Sequence, residues 1–404
     1  MISLALRNLF RHRKRTAFAL GAICFGVIAL LLAGGFIEWV LWATREVAIQ
    51  SQLGHIQVVR PGYHESGAAD PLAYLLPGGE DIREVIARVP AVRVVTPRLA
   101  FNGLISHGDN TISFLGEGVV PEKEAEIGAA IRVSRGDNLS GEDATGIILG
   151  EGLASHLGVE PDQPVVLLVS TPAGGLNAFE ARVRGLSYTY NKARDDTALR
   201  VPLPMAQELL RVPGAHVWVV LLEDTAQTDA VLERLRARYP PESGMQFVPW
   251  YELADVYNKT AALFSRQMNF VKLIIGLIII FSITNTLSMS VMERTGEIGT
   301  LLAMGTRRRE ITRLFFTEGV LLGLVGGLGG VLIGVLLAYV ISTIGIPMPP
   351  PPGMEHGYTG RIMVNASLVG SVFLIACGTA ALASLYPAGK ASRLQIVDAL
   401  RHNR

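Results

Sequence analysis

Residue types that carry out catalysis occur in this chain, but they do not complete a catalytic motif. His64 and Glu65 begin the His-Glu-x-x-His pattern of zinc peptidases, but Ala68 stands where the second metal ligand belongs. No Gly-x-Ser-x-Gly nucleophile motif occurs, and the Gly389-Lys390 pair lacks the upstream glycine of a phosphate-binding loop. We therefore expect no catalytic, cofactor or metal site in this chain. Four of its histidines are interpreted as surface or structural residues: His55, His107, His156 and His216.

A short charged segment suggests binding chemistry instead. Ile298, Leu301 and Leu302 fall at i, i+3 and i+4, which predicts a short helix with one apolar face. Such a helix is too short to cross a bilayer, so it would lie along the membrane or insert into a groove on a partner. A solvated loop that only connects its neighbours remains the alternative. The candidate interaction residues are Glu293, Arg294, Glu297, Ile298, Gly299, Leu301, Leu302 and Gly305.

Composition indicates that this segment connects membrane helices. Half of the 404 residues are hydrophobic and 18% are charged, and the mean hydropathy of +0.37 lies between that of soluble enzymes and that of chains buried entirely in lipid. A spanning helix needs about 20 largely apolar residues. Four stretches meet this requirement, which predicts spans at 16–43, 267–292, 319–346 and 362–389.

Glycines recur along the third predicted span at spacings that let helix backbones approach closely in lipid. We expect them to pack against another helix, in the same chain or in a second copy. These candidate packing residues are Gly319, Gly323, Gly327, Gly330 and Gly334.

Basic residues predict the orientation of the spans. The segments 1–15, 293–318 and 390–404 together hold 14 Lys or Arg against five Asp or Glu, which places them in the cytoplasm. The first of these also spaces apolar residues as an interfacial amphipathic helix would. Residues 44–266 must then lie outside, and 347–361 form a short outer turn rich in proline. The net charge of +1 gives no sign of a nucleic-acid binder.

The outside region has the patterns of an α+β domain. Strand and helix patterns at about 54–120 and 216–250 predict one module built from two βαβ-like pieces, with a β-rich subdomain at about 121–215 between them. Helical periodicity continues from Tyr251 to Met292, a length of about 63 Å at 1.5 Å per residue. Because this is twice the hydrocarbon thickness, we expect stalk helices that rise out of the membrane.

This arrangement resembles the FtsX/MacB/LolC–LolE type of ABC transporter permease, which works by mechanotransmission. The resemblance covers essentially the full length and is most specific at the pattern Arg-x-x-Glu-Ile-Gly that begins at Arg294. Leu302 is a departure, because relatives commonly have a basic residue there. Further matching segments are Ile311-x-x-Leu314-Phe315-x-x-Glu318-Gly319 and the tail that begins Tyr386-Pro387-Ala388.

The resemblance implies a dimer of permease chains in the bacterial inner membrane, paired with two copies of a cytoplasmic ATPase that bind ATP and Mg²⁺. The candidate interaction residues would then dock on this ATPase, and the periplasmic domain would act on a cargo or adaptor protein. The segment Gly54-His55-Ile56-Gln57-Val58 favours lipoprotein release. Efflux of peptides or small molecules from the periplasm and activation of a periplasmic hydrolase remain the alternatives.

Overall fold

The structure is a computed structural model that describes residues 13–67, 70–76, 80–127, 132–189, 192–349 and 357–395. Most of the predicted amphipathic segment at 1–15 lies outside the described residues, as does much of the tail at 390–404. The predicted outer turn at 347–361 is described only at its two ends, in short paired strands.

The helices and strands of the described residues are numbered in chain order. The α-helices are α1 (Arg13–Ala48), α2 (Tyr63–Ser66), α3 (Glu80–Ala87), α4 (Pro121–Ile127), α5 (Glu151–Leu157), α6 (Lys192–Asp195), α7 (Leu203–Leu210), α8 (Thr228–Arg238), α9 (Trp250–Leu253), α10 (Asp255–Glu293), α11 (Thr295–Ala303), α12 (Arg308–Ile344) and α13 (Ala366–Ser392). The strands are β1 (Ile56–Val59), β2 (Val92–His107), β3 (Asn110–Val119), β4 (Arg132–Gly136), β5 (Gly146–Gly150), β6 (Pro164–Ser170), β7 (Leu176–Tyr188), β8 (Ala198–Pro202), β9 (Val217–Leu222), β10 (Gln246–Pro249), β11 (Ile346–Met348) and β12 (Tyr358–Gly360).

The chain divides into two compact units. The helical unit lies within Met1–Trp42, Thr260–Met348 and Thr359–Arg404, and the sheet unit within Ala43–Lys259 and Pro349–Tyr358. Among the described residues, the four helices long and apolar enough to cross a membrane are α1, α10, α12 and α13. Helices suit such segments because every backbone donor and acceptor must be satisfied without water.

Glycines on one side of α12 let α13 approach closely. A Cβ added at Gly323 would stand 2.6 Å from the Cβ of Ala380, and one added at Gly319 would overlap Ser384. Gly327 meets the ring of Phe373 in the same way, at 3.2 Å. Small residues therefore face each other at Gly319 and Gly323, and Gly327 leaves room for an aromatic ring, so that the two helices pack closely.

A second set of glycines on α12 faces α1. A Cβ at Gly330 would stand 2.7 Å from the Cβ of Val27, and one at Gly334 would stand 2.9 Å from Leu31 Cδ1. The two sets place α12 between α1 and α13. The neighbours of the five predicted packing glycines therefore belong to the same chain.

Two helices differ from the prediction at their starts. The helix expected from Tyr251 is interrupted at Ala254, whose φ of −84° and ψ of 57° are not helical, so that α10 begins at Asp255. Helix α12 begins at Arg308, well before the span predicted from residue 319. Residues 308–318, which the sequence analysis placed before the third span, therefore belong to the same helix as that span.

One half of the sheet unit is a split βαβ arrangement. Its strands have the order β10-β1-β9-β2, and β9 is antiparallel to both β1 and β2. The two pieces, β1-α3-β2 and β9-α8-β10, therefore interleave in one sheet. Strands β1 and β9 are buried at every residue, because one face packs on α3 and α8 and the other carries a second apolar cluster around Trp250.

The other half of the sheet unit is a closed barrel of six strands. Pairing runs β2-β3-β8-β5-β7-β6 and returns from β6 to β2, while β4 adds to β7 outside the ring. Alternate residues of these strands point inward, among them Ile105, Leu167 and Val183, which are fully buried. Closure leaves none of the six ring strands with an unpaired edge.

Strand β2 belongs to both halves. Its residues Val92–Arg98 pair with β9, and Leu99–His107 pair with β3. The barrel therefore includes residues 99–119, which the sequence analysis assigned to the βαβ module. Strand β3 joins the barrel because it pairs with β8, which lies some 80 residues further along the chain. The alternation of residues within a strand does not indicate which distant strand it pairs with, so the boundary between module and barrel was placed too late.

A buried ion network lies where the two halves meet. Arg98 donates to both carboxylate oxygens of Glu124, at 2.8 and 2.9 Å, and both side chains are more than nine-tenths buried. Glu117 accepts hydrogen bonds from Arg194 and Arg200. Burial opposes ionisation of Glu117, but the nearby guanidinium groups outweigh this effect and lower its pKa to about 2.

The lowered pKa predicts an acid-sensitive sheet unit. An unfolded glutamate titrates near 4.5, so the stabilisation from ionised Glu117 is complete above that pH and is lost as the pH falls towards 2. We expect the thermal midpoint, followed by tryptophan fluorescence, to fall over this range. Glu117→Gln should lower the midpoint at pH 7 and flatten its decline between pH 4.5 and 2. The exposed Glu242→Gln is the control, and an equally flat profile for that variant would contradict the assignment.

Candidate coupling site

The predicted short helix exists as α11, which follows α10 after a single residue. Arg294, between the two helices, has a φ of −103° and a ψ of 16° and redirects the chain. Gly305 ends the segment with a φ of 92°, a conformation that residues with a Cβ rarely adopt. Its N–H donates to the carbonyl of Leu302 at 3.1 Å, and the next N–H donates to Leu301. Gly305 therefore closes α11 and directs the chain into α12.

The apolar face of α11 packs inside its own chain. Ile298 is 2% exposed and packs in a cluster with Phe315 of α12 and Ala388 of α13. Leu301 and Leu302 are half-buried against the same cluster, and Gly299 is buried. We interpreted this face from the sequence as one that lies on the membrane or inserts into a partner. The structure corrects this interpretation, because α12 and α13 supply the groove.

Arg294 fixes α11 to α12. Its Nε donates to Glu297 at 3.1 Å, and its Nη1 donates to Glu318 at 3.2 Å. The guanidinium also lies 5.7 Å from the centre of the Phe315 ring. Glu318 is 3% exposed, and removing one partner of a buried ion pair leaves the other charge uncompensated. Arg294 is therefore a positioning residue, and its side chain faces the protein interior.

A second ion pair joins the ends of two long helices. Arg15, near the start of α1, donates two hydrogen bonds of 2.7 Å to the two carboxylate oxygens of Glu293, at the end of α10. Both side chains are about one-third exposed, so solvent screens the pair and its net stabilisation is about 1 kcal/mol or less. Its bidentate geometry orients the start of α1 against the end of α10 more than it stabilises the fold.

The solvent-facing side of α11 carries a different set of residues. Glu297 and Thr300 are exposed on it, and Met304, just after the helix, is 71% exposed. Of the eight predicted interaction residues, Glu297 therefore remains on the outer side of α11, whereas Ile298 and Gly299 do not. We define the outer face of α11 as Glu297, Thr300, Ala303 and Met304.

Sequence reasoning missed the structural partners of this segment. From the sequence, Glu318 and Phe315 were identified only as parts of a family pattern. Arg15 was counted only as one of the basic residues next to the first span. Glu318, a single acid just before a glycine-rich apolar run, could have indicated such a pairing, because a buried carboxylate needs a cationic partner.

Among the described residues, no three His, Cys, Asp or Glu side chains group to hold a metal ion.

Comparison with known families covers both units. Residues 16–238 match the MacB-like periplasmic core domain, and residues 269–396 match the FtsX-like permease C-terminal domain. The chain belongs to the FtsX/MacB/LolC–LolE type of ABC transporter permeases. This confirms the family expected from the sequence, together with four apolar helices and a periplasmic domain of mixed sheet and helix.

Relatives of this permease include lipoprotein-releasing and export proteins. It is 25% identical over 433 aligned residues to the lipoprotein-releasing system transmembrane protein LolC of Neisseria meningitidis serogroup B, covering 97% of each chain. It is 24% identical to the macrolide export ATP-binding/permease protein MacB of Escherichia coli, covering 85% of this chain and 52% of that one. The crystal structure of the periplasmic region of MacB from Actinobacillus actinomycetemcomitans matches half of the permease with a TM-score of 0.37 and 12% identity, covering 92% of that chain.

The geometry at Arg294 predicts that this residue holds α11 in place. Arg294→Ala should cost roughly 3 kcal/mol of stability, because it leaves Glu318 buried without its cation. Hydrogen exchange of the amides in α11 should accelerate in the full-length protein. Arg309→Ala, at an exposed position on the next helix, is the control and should exchange like the wild type. Unchanged protection of α11 in Arg294→Ala would disprove the assigned role.

Proposed function

We propose that this permease is the membrane subunit of a mechanically coupled ABC transporter in the bacterial inner membrane. In this proposal a separate cytoplasmic ATPase binds ATP and Mg²⁺, and its closure moves α11. The movement passes along α10 to the periplasmic domain, which acts on cargo there. The cargo need not cross the bilayer.

The observation that carries the proposal is the attachment of α11. It is joined to α10 through a single residue and braced on α12 and α13 through Ile298 and Arg294. A force applied to the outer face of α11 would therefore reach α10 directly, because no flexible linker separates them. A solvated connecting loop would need neither a buried arginine nor a packed apolar face.

Helix length supports transmission across the membrane. Helix α10 has 39 residues and α1 has 36, which correspond to about 58 Å and 54 Å, against a hydrocarbon core of about 30 Å. Both helices include residues of the two units. We infer that they serve as stalks, with both chain ends in the cytoplasm, as the distribution of basic residues favours.

The outer face of α11 is our proposed ATPase contact. It offers an acid at Glu297, a small polar residue at Thr300 and an exposed thioether at Met304. A flexible methionine on a face that also carries polar residues suits a surface that must bind and release a partner. The functional assembly would contain two such faces, one from each permease chain of a homo- or heterodimer, and two ATPase subunits.

Substitution on the outer face tests this contact. Thr300→Arg should abolish co-purification of the ATPase and the permease-dependent part of ATP hydrolysis, because a long charged side chain prevents close approach. Thr300 is exposed and its hydroxyl donates to the carbonyl of Gly296 within the helix, so the fold should survive the substitution.

Two control variants make the test specific. Thr300→Ser keeps the hydroxyl and should retain the ATPase, and Gln227→Arg adds the same charge at an exposed position of the sheet unit. Full ATPase recovery with Thr300→Arg would show that α11 is not the contact. The permease family assignment would stand in that case, because it rests on other residues.

Lipoprotein release is the cargo class that we propose first. Its support is the match to LolC, which extends over 97% of both chains, whereas the permease spans about half the length of MacB. The similarity to MacB, and to the pyoverdine export ATP-binding/permease protein PvdT of Pseudomonas entomophila, supports efflux as the second candidate.

Deletion of the gene separates these two cargo classes. For lipoprotein release we expect labelled lipoproteins to accumulate in the inner-membrane fraction, while tolerance to macrolides stays unchanged. Complementation with the wild-type gene should restore sorting, and complementation with Thr300→Arg should not. Normal sorting combined with reduced drug tolerance would reject lipoprotein release in favour of efflux.

A further inference from the structure

A cavity opens inside the sheet unit, where β2 passes from the split βαβ sheet into the barrel. Its volume is about 710 Å³, within the range of about 300–1,000 Å³ typical of small-molecule sites. Polar groups line one part of its wall and apolar side chains another, among them Leu53, Phe101 and Leu199. The cavity lies outside the helical unit that carries α11, so this inference does not depend on the transport proposal.

Hydrogen-bond donors dominate the polar wall. Three guanidinium groups, those of Arg98, Arg194 and Arg200, line it, and each offers five N–H donors. Glu117 accepts hydrogen bonds from Arg194 and Arg200. Glu124, outside the wall, neutralises Arg98 and lies 3.6 Å from Arg200. These two carboxylates offset two of the three arginine charges, and the hydrogen bond of Arg200 to Glu117 uses only one of its five N–H donors.

The second carboxylate on the wall is already engaged. Asp195 accepts hydrogen bonds from the backbone N–H of Thr189 and from its hydroxyl. It therefore contributes little acceptor capacity to the cavity. The wall as a whole suits a molecule that brings acceptors of its own.

His216 adds a donor that has no acceptor. The backbone N–H of Ala100 donates to its Nε2 at 3.2 Å, so this nitrogen is unprotonated. Burial lowers the pKa of His216 to about 4, so the ring is neutral at pH 7 and its proton sits on Nδ1. The residue is 1% exposed, and Nδ1 has no hydrogen-bond partner among the described residues. Buried donors rarely remain without an acceptor.

These features together define a ligand class. We propose that the cavity binds a small amphipathic carboxylate, whose oxygens accept the Nδ1–H of His216 and the outer N–H groups of Arg200. Its apolar body would lie against Phe101 and Leu199. Guanidinium groups bind carboxylates through parallel N–H bonds, whereas an uncharged tail would satisfy neither them nor His216.

Octanoate is the probe for this site. Binding to the full-length protein in nanodiscs would be measured by isothermal titration, with empty nanodiscs subtracted, and compared with octanol and with inorganic phosphate. His216→Gln places an amide oxygen where Nε2 accepts from Ala100 but removes the Nδ1–H. We expect it to weaken octanoate binding about tenfold or more. His156→Gln makes the same change at an exposed position and should bind octanoate like the wild type.

A second variant keeps the proposal testable if His216→Gln does not fold. Ala193 is exposed and lines the cavity, so Ala193→Phe should occupy its mouth and abolish octanoate binding without disturbing the core. Equal octanoate affinity in the wild type and Ala193→Phe would overturn the proposal. So would octanol or phosphate binding as tightly as octanoate, or no binding of octanoate to the wild type.

Discussion

A buried carboxylate that requires a cationic partner determines the geometry of the segment around α11. Glu318 is buried at the point where α12 becomes apolar, and Arg294 reaches it from the junction of α10 and α11. Burying either ion alone would be far more costly than burying the pair, so the ion pair favours the position of α11 in which both charges are satisfied. The apolar face of α11 and the turn at Gly305 then follow from this position. The exposed outer face is what remains for other molecules.

Close packing in the helical unit complements this electrostatic attachment. Helix α12 lies between α1 and α13 because glycines on its two sides admit their side chains, as at Gly330 with Val27 and Gly323 with Ala380. Lipid offers no hydrophobic force between helices, so contact area and close approach must hold them together. The same α12 carries Phe315 and Glu318 at its other end. A single helix therefore links the core of the helical unit to the attachment of α11.

Sequence patterns predicted those elements whose information is local. Periodicity located the apolar helices, and Ile298, Leu301 and Leu302 predicted α11, since their spacing depends only on neighbouring residues. Periodicity could not tell which body covers that apolar face, because Phe315 and Ala388 lie far away in the chain. For the same reason the barrel was not predicted, since β3 pairs in parallel with the distant β8. His216 was interpreted as structural, and nothing near it in the sequence indicates its orphaned Nδ1–H.

Strand β2 has a consequence for where the sheet unit can bend. An unbroken strand whose backbone is paired on both sides of Arg98 leaves no pivot between the split βαβ sheet and the barrel. Conformational freedom must then be found elsewhere along the chain. Within the sheet unit, the split βαβ sheet and the barrel would then move together as one body.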